Sequence, residues 1–359
     1  MQLIIGTYTG RLPHVEGKAD GILAADFDAA SGAFGAVRTL AGMRNPSYLA
    51  ISASGEHLYA VSETETFDGQ PGGGIVAFAR DKRTGEVARL NARPTIGSAP
   101  CHVAFDRTGR FLLTANYGID GGSVTVYPLS ADGRLGDIAD HVRHAGSGPH
   151  PERQASSHAH MTRVDPLTGD ILVTDLGADS IFAYTLDSAG RLAPRWQLKA
   201  EPGAGPRHLA FHPGGRYLFV VNELGGAVSM WRRAGDGFTA TGVASTLPAG
   251  AGAGPGEENA PGAIRISPSG RHVLVSNRGH DSISVFRFDD TSGALSLIGT
   301  TASAGECPRD FIMTPDGRRI IVASQDSDVL ASYEFDDAAG ALRPLRRAAA
   351  PTPVCLVFA

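Results

Sequence analysis

One spacing recurs along this chain and limits what it can fold into. A proline, or a residue in its column, opens a short stretch of alternating apolar residues. Sixteen residues later stands a small polar residue. The pairs are Pro46 and Ser62, Pro100 and Asn116, Pro206 and Asn222, Pro261 and Asn277, and Pro308 and Ser324. A sixth copy runs from Ala159 to Asp175. Within each pair a Gly-containing turn joins two apolar stretches, as in PRHLAFHPGGRYLFVVN. Self-similarity with a period of roughly 50 residues signals a repeat architecture, in which each unit buries its apolar face against a neighbour. Alternation with period two argues for strands, not helices.

The seventh copy is split. Pro353 opens PVCLVF at the C-terminal end, and its second strand, LIIGT at Leu3 to Thr7, lies at the other end of the chain. A third apolar strand and a hairpin glycine follow in each unit, at Gly32, Gly85, Gly133, Gly190, Gly237, Gly293 and Gly340. Glycine there supplies a positive φ at little steric cost. The spacing therefore predicts an all-β, seven-bladed β-propeller of four-stranded antiparallel blades. Strands from both termini close the last blade, which removes edges that would invite aggregation. An open β-solenoid is the alternative, and the split unit argues against it. The chain reads as a single domain over residues 1–359. Insertions at 9–20, 64–73, 141–157 and 248–260 read as loops, some lying over one face.

Composition narrows the function. The 359 residues carry 32 Lys+Arg against 37 Asp+Glu, a formal charge of -5 that argues against general nucleic-acid or membrane-surface binding. Hydrophobic residues at 42% and charged residues at 19% exclude a disordered chain. No apolar run approaches the roughly 20 residues of a membrane span. MQLIIGTYTG lacks the basic region and cleavage site of a signal peptide and reads as a strand. Cys101, Cys307 and Cys355 are sparse, odd in number and without CxxC spacing. They suggest a reducing, cytoplasmic location and no zinc site of the usual kind.

Propeller architecture makes three columns converge at one channel mouth. The residues after the Pro column are Ser47, Cys101, His160, Arg207, Gly262, Arg309 and Val354. The next are Tyr48, His102, Met161, His208, Ala263, Asp310 and Cys355. After the second strand come Glu63, Tyr117, Leu176, Glu223, Arg278, Gln325 and Tyr8. A structural repeat does not need His, Arg and Glu at such places, so function is expected there. Arginines grip carboxylate or phosphate in a forked geometry, and a carboxylate or neutral His serves as general base. The set suits a small, oxygen-rich anion, although the whole chain is acidic. The competing structural readings are inter-blade salt bridges for the arginines and strand packing for His102 and His208. For His160, Arg207, Glu223 and Arg278 together, convergence from different blades favours function.

HVRHAGSGPHPERQASSHAH carries His141, His144, His150, His158 and His160. The spacings match no standard metal-ligand pattern, and no metal site is assigned. A loop over the mouth, with Arg153 and Gln154 directed at a ligand, is expected instead. No GxSxG elbow or phosphate-cradling glycine loop is present.

The motifs SHAH, GPRH, VVNE, NRGHDSI and PRDF stand in this order. With them the chain resembles the seven-bladed lactonase family, which includes cycloisomerase-type 6-phosphogluconolactonases and carboxy-muconate lactonizing enzymes. The resemblance spans nearly the whole chain. It implies chemistry without metal or cofactor on anionic lactones, with His160, Arg207, Glu223 and Arg278 as the catalytic set. His158 competes with His160, and Arg309 with Arg278. Ser324 stands where the pattern expects Asn. The leading expectation is a lactonase, most simply on 6-phosphogluconolactone, with Arg207 and Arg278 holding the anion. Glu223 or His160 activates water, and its partner protonates the leaving oxygen. His102, Asn116, Arg153, His158, His208, Asn222, Asn277 and Arg309 are the substrate-binding candidates. A muconate-type lactonizing cycloisomerase and a non-catalytic scaffold are the alternatives. The expected partner is the small lactone alone, with no nucleic acid or membrane, and the chain is expected as a monomer or weak homodimer.

Overall fold

The computed structural model describes residues 1–119, 121–252 and 258–359. Residues 253–257 of the fourth insertion lie outside the described residues. Seven antiparallel sheets form a ring, and among the described residues there is no helix. Blades 1 to 6 begin at inner strands Leu49–Ile51, Pro100–Phe105, Ala159–Val164, Pro206–Phe211, Ala260–Ile266 and Pro308–Met313. In blade 7 the C-terminal Pro353–Phe358 is innermost and pairs with the N-terminal Gln2–Thr7, placing Leu3 opposite Phe358 and Ile5 opposite Leu356. Gly21–Asp28 follows, and its outer edge is shared by two short strands, Ala33–Phe34 and Arg38–Gly42. The seven-bladed architecture and the split blade are those the repeat predicts.

The core lies between blades, because strand alternation sends successive side chains to opposite sheet faces. In the N-terminal strand, Leu3 and Ile5 pack with Ile321 and Leu330 of blade 6. Ile4 between them packs with Leu58 and Val76 of blade 1. Each such side chain contributes roughly 1.5–3 kcal/mol when fully buried. One strand thus ties the last blade to both neighbours.

Three local expectations need correction. The hairpin glycines have positive φ in six blades, for example 82° at Gly190, but in blade 4 that role falls to Gly235, φ 59°, and Gly237 already begins the outer strand. Insertion 64–73 is a small hairpin, Thr66–Phe67 with Gln70–Pro71, and 9–20 holds another, Arg11–Leu12 with Val15–Glu16. The Asp68-Gly69 pair, with φ 49° and 77°, is the type I′ signal that marks the first of these. Residues 141–143 belong to the outer strand Asp140–Arg143 of blade 2, so the loop after it begins at His144.

Candidate active site

A backbone irregularity aims the key side chains. In blades 2 to 6 the pairing of inner and second strands slips just after the first residue of the Pro column. Blade 4 pairs Pro206 with Asn222 and then His208 with Val221, leaving Arg207 as the extra residue. Cys101, His160 and Arg309 are extra in the same way. A bulge leaves its residue outside the ladder and re-aims its side chain. The repeat therefore places a bulge at the mouth in blade after blade, and each sequence decides what it presents.

Above this ring lies a cavity of about 810 Å³, lined among others by Glu63, Tyr117, Arg153, His160, Glu223, Arg278 and Arg309. Glu223, 5% exposed, is the hub of one side. Its Oε2 accepts from Arg207 Nε at 2.9 Å and Arg278 Nη2 at 2.6 Å, and its Oε1 from Arg153 Nη2 at 2.5 Å. Burial alone would raise this carboxyl, but Arg278, Arg207 and Arg153 outweigh it and hold it well below the usual carboxylate range. Arg207 is buried under the cavity. It donates also to the Gly262 carbonyl at 2.7 Å, and burial, reinforced by Arg278, lowers its guanidinium to about 10. The sequence-based expectation that Arg207 holds the ligand's anion is corrected: Arg207 is committed to Glu223, and Arg153, Arg278 and Arg309 are the guanidiniums at the open cavity.

Blades 6, 7 and 1 build the opposite side. Tyr8 Oη lies 3.0 Å from both Glu63 oxygens and accepts from Arg309 Nη2 at 2.9 Å. Arg309 also donates to Gln325 Oε1 at 3.1 Å. Burial pushes the Glu63 carboxyl above its ordinary value, against the opposing pull of Arg309 and Tyr8. Two carboxylates thus face one cavity in opposite environments. Glu65, Glu258, Asp281, Glu306 and Asp326 also line the cavity.

His160 lines the cavity, and burial followed by Arg207 pushes its imidazole well below its ordinary value. It is neutral at pH 7. The other histidines of the segment are engaged locally. His144 Nδ1 bonds Asp175 at 2.7 Å, His141 Nδ1 meets Thr125 at 2.9 Å, and His150 Nδ1 accepts from the Arg153 amide at 3.2 Å. His158 bonds the Tyr117 carbonyl at 2.9 Å and stacks on the Tyr117 ring at 4.2 Å.

The remaining candidates sit elsewhere. Asn116, Asn222 and Asn277 point into their blades and bond Ser123 and Thr125, Ser229, and Ser282 and Ser284 respectively. They do not reach the cavity, which corrects their expected contact with substrate. Alternation explains it: the residue after each Asn faces the mouth, so the Asn faces away. His102 and His208 lie below the mouth in a cluster with Tyr48, at 4.1 Å between the Tyr48 and His102 rings. Gln154 is buried and donates to the Leu176 carbonyl and Asp179, so of the loop pair only Arg153 faces the cavity. Sequence reasoning omitted His14, which reaches the cavity from the 9–20 hairpin and lies 3.4 Å from Tyr8 Oη. The insertion's position beside the mouth was its only signal.

Comparison with known proteins agrees with this fold. A family profile described as "Lactonase, 7-bladed beta-propeller" matches residues 2–358. A 6-phosphogluconolactonase of Bacillus subtilis is 36% identical over 312 residues, covering 86% of this chain and 83% of that protein. One from Formosa agariphila is 30% identical, covering 86% and 85%. The solved structure of a periplasmic gluconolactonase from Pseudomonas aeruginosa superposes with a TM-score of 0.90 at 31% identity, over 99% of this chain and 98% of that one. The chain belongs to the seven-bladed β-propeller lactonase family.

Proposed function

We propose that this chain hydrolyses a sugar-acid lactone, with 6-phosphogluconolactone as its substrate. The observation that carries the reading is a cavity lined by three guanidiniums beside a neutral imidazole, in a fold whose relatives bear that name. Arg153 holds the phosphate, and Arg278 and Arg309 offset charge on the carbonyl oxygen as it becomes an oxyanion. Carboxylates lining the cavity accept hydrogen bonds from sugar hydroxyls. His160 takes a proton from the attacking water. Both Glu223 oxygens are occupied by guanidiniums, which supports a positioning role for it.

In this reading the chain works as one domain, a monomer or weak homodimer, in the cytoplasm, and supplies the pentose phosphate pathway. The free thiols of Cys101, Cys307 and Cys355 support a reducing compartment. Among the described residues no helix is long and apolar enough to cross a membrane. Hydrolysis of 6-phosphogluconolactone above its spontaneous rate tests the substrate. Faster turnover of unphosphorylated gluconolactone moves the assignment to that lactone, and activity only on a muconate lactone moves it to a cycloisomerase.

Arg153 gives a separate test. Its side chain is 41% exposed and comes from the loop, not a blade. A charge-assisted hydrogen bond is worth roughly 1.5–3 kcal/mol, so Arg153→Ala is expected to raise KM about 10–100-fold with kcat within about threefold. An unchanged KM removes Arg153 from the anion site.

A further inference from the structure

We propose that Glu63 is the second acid–base residue of this site, the group that protonates the ring oxygen as it leaves the carbonyl carbon. The inference rests on the lactone-hydrolase reading above. Hydrolysis forms a bond from water oxygen to the carbonyl carbon and breaks the bond from that carbon to the ring oxygen. His160 takes one water proton, and the electron pair of the broken bond goes to the ring oxygen. That oxygen needs a proton, and Glu63 supplies it. His160 then releases its proton to solvent, and Glu63 recovers one.

Position comes first. Glu63 follows the second strand of blade 1, whereas Glu223 follows that of blade 4, three blades round a ring of seven. The two carboxylates therefore face the cavity from opposite sides, and both line it. Glu223 is closed off by three guanidiniums. Glu63 among the described residues bonds no guanidinium directly; Arg309 reaches it through the Tyr8 hydroxyl. A carboxylate gripped by three cations is a poor proton donor or acceptor, and one held by a phenol is free to exchange.

Beneath the open cavity, Glu63 and His160 also line a second cavity of about 10 Å³, with Ser47, Cys101, Arg207 and His208. His160 Nδ1 and His208 Nδ1 are buried and among the described residues have no hydrogen-bond partner. A polar cavity of this size holds about one water. The shifts of the two groups agree with the assignment. Glu63 is raised and His160 lowered, so the range in which the acid is protonated and the base neutral is widened. The charged and titratable groups that share this lower cavity with Glu63 are Tyr8 from blade 7, Tyr48 from blade 1, Arg309 and Asp310 from blade 6, Arg207 and His208 from blade 4, Cys101 from blade 2 and His160 from blade 3.

The test is the pH–rate profile of Glu63→Gln on 6-phosphogluconolactone, corrected for spontaneous opening. Activity of the wild type must fall as pH rises through the raised Glu63 value. The variant is expected to lose 10²–10⁴ in kcat and that alkaline limb with it. A variant with kcat within about threefold of wild type and the same limb overturns the proposal and leaves the lactonase reading standing. A wild type inactive on every lactone overturns both. Tyr8→Phe covers a Gln variant that does not fold. Removing a donor that favours the ionised form should move the limb to higher pH, and an unmoved limb counts against Glu63. An infrared titration of the Glu63 carboxyl, identified by its loss in Glu63→Gln, is independent of turnover. A midpoint above the ordinary value of about 4.3 is expected, and one at or below it overturns the acid role.

Discussion

Glu223→Gln is expected to destabilise the protein by about 3–5 kcal/mol, because it leaves buried positive charge without its counter-ion. The amide keeps the shape of the carboxylate and still accepts a hydrogen bond. It does not neutralise Arg207 and Arg278, which meet the same oxygen at 2.9 Å and 2.6 Å. Arg207 is buried and has its charge opposed by Arg278 as well, so Glu223, which bonds it directly, supplies its main compensation. The pH dependence separates this from a loss of packing. Glu223 is held below its ordinary value, so its stabilisation is complete above the unfolded value of about 4.3 and is lost as pH falls through the lower folded-state value. The gap between wild type and variant should therefore be widest near neutral pH and close in acid. Unfolding midpoints across that range measure it. A gap that is absent, or constant with pH, contradicts the role of Glu223 as hub of the arginines. Turnover should also fall, since Arg153 and Arg278 lose the group that orients them. Glu223→Asp should restore stability in part by returning the charge.

The ring of blades was legible because it is written many times over. The Pro column, the hairpin glycines and the split copy at the two termini each specify the same architecture, and an error at one blade, as at Gly237, leaves the others to correct it. Site residues are written once each. The columns identified the mouth, since a charge after a strand end has no structural reason to recur. They did not say which members reach the open cavity. Arg207 and Arg278 both stood in those columns, yet a bulge and one hydrogen-bonded carboxylate place Arg207 beneath the floor and Arg278 beside the ligand space. The Asn column was misread for a simpler reason. A strand sends neighbours to opposite faces, so Glu223 at the mouth already implied that Asn222 turns inward to Ser229. Glu63 and Tyr8 were visible in the same columns. Their pairing depends on blades 7 and 1 being neighbours, which joins residues at 3.0 Å across the closure of the ring. His14 lies in an insertion that no repeat constrains.

His160→Gln is expected to lower kcat by 10²–10⁴, or roughly 3–5 kcal/mol of barrier, while KM for the lactone changes little. Gln fills similar space, so a large loss of fold stability would point to packing. The pH profile carries the sharper statement. Catalysis as a base needs neutral imidazole. Burial and Arg207 press His160 well below its ordinary value, so the neutral form persists as the solution is acidified. The wild-type profile should therefore show no acid-side loss as pH falls past about 6.5, the midpoint of an unperturbed histidine, and such a loss only below it. His158, hydrogen-bonded to the Tyr117 carbonyl and stacked on that ring, supplies the control. His158→Gln should alter Tyr117 and through it substrate affinity, but leave the acid limb where it is. If His160→Gln retains full turnover, the proton from water goes elsewhere. Glu63 is then the buried carboxylate of the cavity that its surroundings leave free to take it, since Glu223 accepts from three guanidiniums.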